Sequence, residues 1–320
     1  MRYTVRHMTR FSYDTPISES VMEARMQPRS EGYQRCLQFS LSTTPRSAVR
    51  LYHDSDGNIV HHFNIPGRHA SLLLTAQAIV ESSPPPAPPN ASPDDAWTRL
   101  DAMTATGEYW DVLTPSRFAE TTTALFDFAR EIGLSRLTDP LSALRMLLGE
   151  MYARFEYSPQ STRVDSRIDE ALQTRRGVCQ DFSHIFIALA RQLGVPTRYV
   201  SGYLFRDESG ADRSTDGATH AWAECWVPDL GWVGFDPTNN VIASERHIRV
   251  AVGRDYADVP PTRGVYKGIT AIASDLAVSV SFAPVVLATG GDMMPFTPWM
   301  SRDVSTPVGD ADAEQQQSQQ

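Results

Sequence analysis

The first eighty or so positions alternate polar and apolar residues with the period of a β-strand. "YTVRHMTRFSY" alternates cleanly, and "RCLQFSLSTTP" runs into a proline turn. "NIVHHFNIP" and "SLLLTAQAIVE" each predict a further strand. Ahead of these two, "HDSDGNIV" places Gly after Asp, a strong hairpin signal. Its Asp54 and Asp56 open like a calcium loop, but the later ligands and the distal Glu of that pattern are missing, so the stretch reads as a turn. The alternation stops at "SSPPPAPPNASPDD", residues 82–95, where prolines resist helix and sheet alike and predict a stiff extended spacer.

Beyond the spacer the period becomes helical. "SPDDAWTRLDAM" offers a Ser or Asp cap before a helix, and "RFAETTTALFDFAREIG" repeats apolar residues at helical spacing up to a terminal Gly. "DPLSALRMLLGEMYARFEYS" predicts another helix, with Pro140 in its first turn. A third spans about Gln180 to Leu193 and stops at Gly194-Val195-Pro196. "TRYVSGYLF", "HAWAECWVP" and "GWVGFDPT" then read as strands, and "HIRVAVGRDY" and "LAVSVSFAP" are expected to extend their sheet. The predicted organisation is therefore α+β. A β-rich domain spans 1–81, a Pro-rich linker 82–95 and an α+β domain 96–290, and a disordered polar tail covers 301–320 around "DADAEQQQSQQ".

Composition narrows the partners. The 320 residues are 41% hydrophobic and 21% charged, as expected of a chain that buries a sizeable core. A net charge of −9 argues against nucleic acid, whose phosphates require a basic face. No apolar run approaches the ~18–20 residues of a membrane span, and "MRYTVRHMTRFSYD" lacks the continuous apolar stretch of a secretory signal. Cys36, Cys179 and Cys225 are too widely spaced for a disulfide framework or a zinc site. A reducing cytoplasm is the expected compartment; no metal or cofactor is implied, and oligomeric state has no signature in the chain.

One cysteine stands apart. In "RRGVCQDFSHIF", Cys179 lies beside charge, between a Gly turn and an apolar helix. A thiolate, not a thiol, attacks a carbonyl, and a helix N-terminus stabilises an anion through unpaired N–H groups and the helix dipole. The helix is apolar on nearly every side, which would bury it and hold its first residue rigidly. Taken alone, Cys179 reads more readily as a small packed thiol than as a nucleophile. A cysteine enzyme also needs a base, usually His. His220 opens the strand "HAWAECWVP", sharing a face with Trp222, Glu224 and Trp226 by strand parity. A third group must orient the imidazole, and Asp236 ends the next strand, where an antiparallel hairpin would return it toward His220.

These motifs together resemble the transglutaminase-like superfamily of papain-related cysteine enzymes. "GVCQD" with its buried helix, "GVPTRYVSGY", "HAWAE" and "GWVGFDPT" follow one another in that family's order and spacing across about residues 140–245. The opening β-rich region with its D-G-N hairpin resembles the N-terminal domain of bacterial members. The resemblance implies a Cys-bearing helix packed on an antiparallel sheet, preceded by a sandwich-like β domain. It also implies Cys179 as nucleophile, His220 as base, Asp236 as orienting acid, and a peptide or protein substrate.

An oxyanion hole is the remaining requirement. The Cys179 backbone N–H is one expected donor. Animal transglutaminases take the second from an upstream Trp, but Trp110 is far from the matching position. Tyr157 is a candidate, because bacterial relatives commonly carry an aromatic there; it reads equally as a Tyr packed at a helix end. Gln173, six residues before Cys179, has the spacing of the papain-type oxyanion Gln in a different chain context. Gln180, Trp222 and Tyr203 are expected to line the cleft, with structural roles open for Tyr203 and for Arg198. His184 and Cys225 are expected to face elsewhere, and His61 and His62 to be surface or sheet residues.

The family's shared chemistry is attack on an amide carbonyl to give a thioester, passed to water or an amine. Only three cysteines exclude the paired C-x-x-C zinc motifs of N-glycanase relatives, and the remaining length has little room for the C-terminal domains of animal transglutaminases. Hydrolysis of a peptide or isopeptide bond is the leading expectation. Glutamine cross-linking and a non-catalytic peptide-binding module are the alternatives.

Overall fold

A computed structural model describes residues 1–206, 212–214, 217–267 and 274–284. The first sheet grows from two unusually long strands, β1 (Arg2–Ala24) and β4 (Ile59–Ser82), which pair antiparallel along most of their length. β2 (Gln34–Thr44) pairs one half of β4 and β3 (Arg50–His53) the other. The register of β1 against β4 slips between Ser12 and Glu19. Such bulges bend and twist a strand. Met22 and Phe63 from one half then share an apolar cluster with Leu72, Leu74 and Ala76 from the other. One sheet thus encloses its own core, sandwich-fashion.

"NIVHHFNIP" and "SLLLTAQAIVE", expected as two strands, are one. The chain continues through Pro66 and Gly67, where Gly67 adopts φ +114, open to glycine and strained for other residues. The Asp54 turn is a turn: its Oδ1 accepts the Asp56 and Asn58 N–H groups, and Gly57 takes φ +72.

Beyond Ser82, the last residue of β4, the Pro-rich stretch carries no helix or strand before α1 (Ala96–Thr104). It is pinned rather than free-standing. Asp139, N-cap of α3 (Pro140–Arg154), accepts the Ser92 N–H at 2.9 Å, and Arg145 donates to the Asn90 carbonyl. The second helix, α2 (Thr123–Glu131), is shorter than its pattern predicts, because Thr122 caps it by accepting the Leu125 N–H. Two short strands, β5 (Glu156–Tyr157) and β6 (Arg176–Gly177), pair in parallel around α4 (Ile168–Thr174).

The next helix is α5 (Cys179–Gln192), buried from Cys179 through Arg191. It packs on an antiparallel sheet of β7 (Thr197–Leu204), β8 (His220–Val227), β9 (Gly231–Asp236), β10 (Val241–Ile242) and β11 (His247–Gly253), ordered β10-β9-β8-β7-β11. The exposed edge of β11 is a place where another chain could pair. Here the first domain covers it with two side-chain amides. Gln34 bonds both the N–H and the carbonyl of Arg249, and Asn58 does the same at Val252.

The last described strands do not extend that sheet. β12 (Thr262–Lys267) and β13 (Ser274–Pro284) pair with the two halves of β1 instead. The expected 96–290 unit therefore gives residues 262–267 and 274–284 to the first sheet. Strand alternation says which residues face inward, not which strand is the neighbour. Residues 285–290 and the tail at 301–320 lie outside the described residues. Among the described residues, no helix is long and apolar enough to cross a membrane.

Candidate active site

Val178, in extended conformation, is the N-cap of α5, so Cys179 is its first helical residue. That places its N–H among the four that a helix leaves without an internal acceptor. Asp181 fixes the turn: its Oδ2 accepts the Val178 N–H at 2.8 Å and the Thr162 hydroxyl at 2.6 Å. Burial pushes the Asp181 carboxyl up to about 6, against those two bonds. Gly177 is required by space: a Cβ there would sit 2.9 Å from the Asp181 carboxylate.

His220 starts β8 and Asp236 ends β9, two strands paired antiparallel from Ala223↔Phe235 to Val227↔Gly231. His220 Nε2 lies 2.8 Å from Asp236 Oδ2. Its other nitrogen, Nδ1, is buried with no hydrogen-bond partner among the described residues. Cys179 lies near enough to stabilise the imidazolium, although the sulfur makes no hydrogen bond to Nδ1; such contacts commonly tighten only with substrate bound. Burial opposes charging of His220, but Asp236 and then Cys179 outweigh it and raise the imidazole to about 10. Asp236 is held far below the ordinary carboxylate range, because His220 and His247 overcome the cost of its burial.

Pro237 cannot donate to a ladder and ends β9. The chain then turns so that the Thr238 and Asn239 N–H groups reach Asp236 Oδ1 at 3.0 and 3.3 Å. Oδ2 accepts three more donors: His220, the Asn239 side chain at 2.8 Å and His247 Nε2 at 3.2 Å. Sequence reading missed His247 and Asn239. Asn239 lies within the Asp236 turn, where an Asx-type signal could have found it. His247 comes from β11 and carries no local signal. Asp236, His220 and His247 offer three potential metal ligands in one place. Their 2.8 and 3.2 Å spacings are those of hydrogen bonds.

The other expected site residues scatter. Tyr157 is paired with Gly177, two residues before Cys179, and packs edge-on against Phe182. Gln180 is buried beside Cys179; its Nε2 donates to the Val164 carbonyl, leaving Oε1 without a partner among the described residues. Gln173 is exposed on α4 and does not join the buried cluster, because Arg175, in left-handed conformation, turns the chain before Cys179. Trp222 stacks beside His220, with ring centroids 6.1 Å apart. It is buried on the sheet face away from α5 with Val200 and Val252, over Gly202 and Gly234, whose missing side chains make its space. Tyr203 does not line a cleft: its hydroxyl lies 2.9 Å from His7 of β1, at the junction with the first domain. Arg198 pairs with Glu224. His184 stacks between Phe118 and Tyr199 in the core. Cys225 is a core thiol that burial pushes up to about 12. His61 is buried against Phe39, and His62 is half-buried on the first sheet.

The raised His220 makes a prediction for stability. Its contribution is complete below the unfolded value near 6.5 and is lost as pH rises through about 10. Unfolding free energy, measured by urea titration, is expected to fall between about pH 7 and pH 10, with a slope of up to about 1.4 kcal/mol per pH unit. That slope should vanish in His220→Gln. A wild-type curve that stays flat across this range would contradict the assignment.

The chain matches two family models: the transglutaminase-like superfamily over residues 127–237 and the bacterial transglutaminase-like N-terminal region over residues 3–81. An uncharacterized protein of Mycobacterium leprae is 33% identical over 281 residues, spanning 88% of this chain and 98% of the relative. A protein-glutamine gamma-glutamyltransferase of Pseudomonas aeruginosa is 29% identical over 128 residues, spanning 36% of this chain and 18% of that protein. The crystal structure of a candidate cysteine protease from Cytophaga hutchinsonii superposes with a TM-score of 0.68 at 20% identity, covering 90% of this chain and 92% of that one, a likeness of fold.

Proposed function

Because the chain belongs to the transglutaminase-like superfamily, we propose that it is a cysteine-dependent amide hydrolase acting on peptide or isopeptide bonds. The observation that carries this reading is the arrangement of His220. Its Nε2 is held by Asp236, and its buried Nδ1 is left for the Cys179 thiol at the mouth of α5.

In this reading Cys179 Sγ gives its proton to His220 Nδ1 and attacks the amide carbon. The oxyanion that forms is met by the Cys179 backbone N–H, with Tyr157 as the candidate second donor beside Gly177. As the C–N bond breaks, His220 returns the proton to the leaving amine, and a thioester remains on Cys179. Water then attacks the thioester carbon, giving its proton to His220. Collapse releases the carboxylic acid and restores the thiol. Asp236 stays ionised throughout and keeps Nδ1 aimed at the sulfur.

Hydrolysis is placed ahead of transfer because water is the abundant acceptor and no side-chain constellation among the described residues selects an amine. The second reading, transfer to an amine, draws on the partial match to the glutamine gamma-glutamyltransferase. A glutamine-containing peptide incubated with and without hydroxylamine separates the two. Free acid released in both conditions supports hydrolysis. Hydroxamate without free acid would replace hydrolysis with transfer, and neither product from a broad peptide panel would favour a binding module of the same fold.

A further inference from the structure

Asp236 carries one donor more than a catalytic carboxylate needs. His247 enters from β11, at the opposite end of the sheet order from β9, and places Nε2 3.2 Å from the same Oδ2 that holds His220. Its tautomer is fixed locally. The Ser244 N–H donates to His247 Nδ1 at 3.1 Å, so Nδ1 is the bare nitrogen and the ring proton resides on Nε2. Burial keeps this imidazole neutral against the pull of Asp236, and the nearby charges of His220 and Arg246 push the same way. Trp222 lies edge-on against the ring, with centroids 5.2 Å apart, and closes that side with an apolar wall.

We propose that His247 is a second, neutral imidazole on the Asp236 carboxylate, a positioning residue that sets how strongly Asp236 holds the proton of His220. The inference rests on reading Cys179, His220 and Asp236 as the reacting set. A carboxylate oxygen that accepts a bond from His247 has less electron density to offer His220. A neutral donor does this without placing a second positive charge beside the imidazolium. Asp236 therefore stays ionised and orients the base, yet holds its proton loosely enough for return to a leaving amine. The groups facing His220 are Asp236 of β9, Cys179 of α5 and His247 of β11; those facing His247 are Asp236, His220 and Arg246.

Nitrogen NMR on histidine-labelled protein tests this without a substrate. Wild-type His247 is expected to show a bare Nδ1 and a protonated Nε2, and to titrate below the ordinary imidazole value. In His247→Phe, which keeps an aromatic ring but has no donor, the His220 titration should move upward by about half a pH unit or more. In His247→Gln, which returns an N–H at the end of the side chain, most of that shift should disappear. A purely packing role would lower stability and leave the His220 titration in place, and this result overturns the proposal. So does a wild-type His247 that carries its proton on Nδ1 or titrates above the ordinary imidazole value, an observation that requires no variant to fold. Cys179→Ser separates the underlying reading: if it leaves the His220 titration unmoved, the catalytic pairing itself fails, whatever His247 does.

Discussion

At pH 6, iodoacetamide is expected to label Cys179 on the order of a hundredfold faster than Cys36. An ordinary thiol near pKa ~8.5 is then less than one per cent thiolate, whereas the Cys179 sulfur sits at the first turn of α5 and beside His220, where helix N–H groups and an imidazolium favour attack. The comparison is demanding because access favours the other thiol: Cys36 is half-buried at the surface of the first sheet and Cys179 is buried. Burial raises the Cys36 thiol, against a weaker lowering by the Gln38 backbone, and Cys225 should stay unlabelled. Mass spectrometry of the three peptides reads the result directly. Cys179→Ala should in turn lower turnover of any accepted peptide by roughly 10⁴-fold or more, as loss of a nucleophile does elsewhere. Labelling of Cys179 no faster than Cys36 would leave the thiol as packing and remove the basis for the proposed chemistry.

The second large effect concerns stability. Glu224 is completely buried on β8, and both of its oxygens are taken. Arg198 bonds one at 2.8 Å, and Arg249 closes on the other through Nε at 2.7 Å and a further short contact. Arg249 also reaches Glu31 of the first domain at 3.1 Å. Glu224→Ala leaves two guanidinium groups facing each other with no anion between them. The expected loss is about 3 kcal/mol, near the lower end for breaking a buried pair, because both arginines retain some solvent contact. Denaturant unfolding measures it. Arg198 is stacked on Trp232 and should keep its place, so the disturbance should centre on Arg249 and the inter-domain contact. A loss under about 1 kcal/mol would mean that both arginines rehydrate freely and that the network contributes little.

The groups proposed to react were legible because each is announced by its neighbours. Gly177 and the apolar run of α5 mark Cys179, and the hairpin of β8 and β9 brings His220 and Asp236 together within a short stretch of chain. His247 was not legible, since its position follows from how β11 docks beside β7, and periodicity does not encode sheet order. Trp222 illustrates a different limit. Strand parity correctly put it on one face with Glu224, but that face is the one packed with Val200 and Val252, because α5 occupies the other. The His220 ring reaches Asp236 from the strand's first position. Tyr203 was read as a cleft residue because the contact that claims it, His7, lies nearly two hundred residues away in the chain. In the first domain, Pro66-Gly67 looked like a break, although the strands on either side run on as one.

The return of β12 and β13 to β1 has a consequence for biosynthesis. Tyr3 pairs with Pro284 and Ala24 with Thr262. During synthesis β1 thus waits for nearly all the described chain before both its edges are filled. Meanwhile the helical layer and the second sheet can assemble in between. Such long-range pairing is slow to form and leaves an unpaired edge exposed during synthesis. Nascent chains stalled before residue 262 should therefore present β1 to other chains, while those released after residue 284 should not.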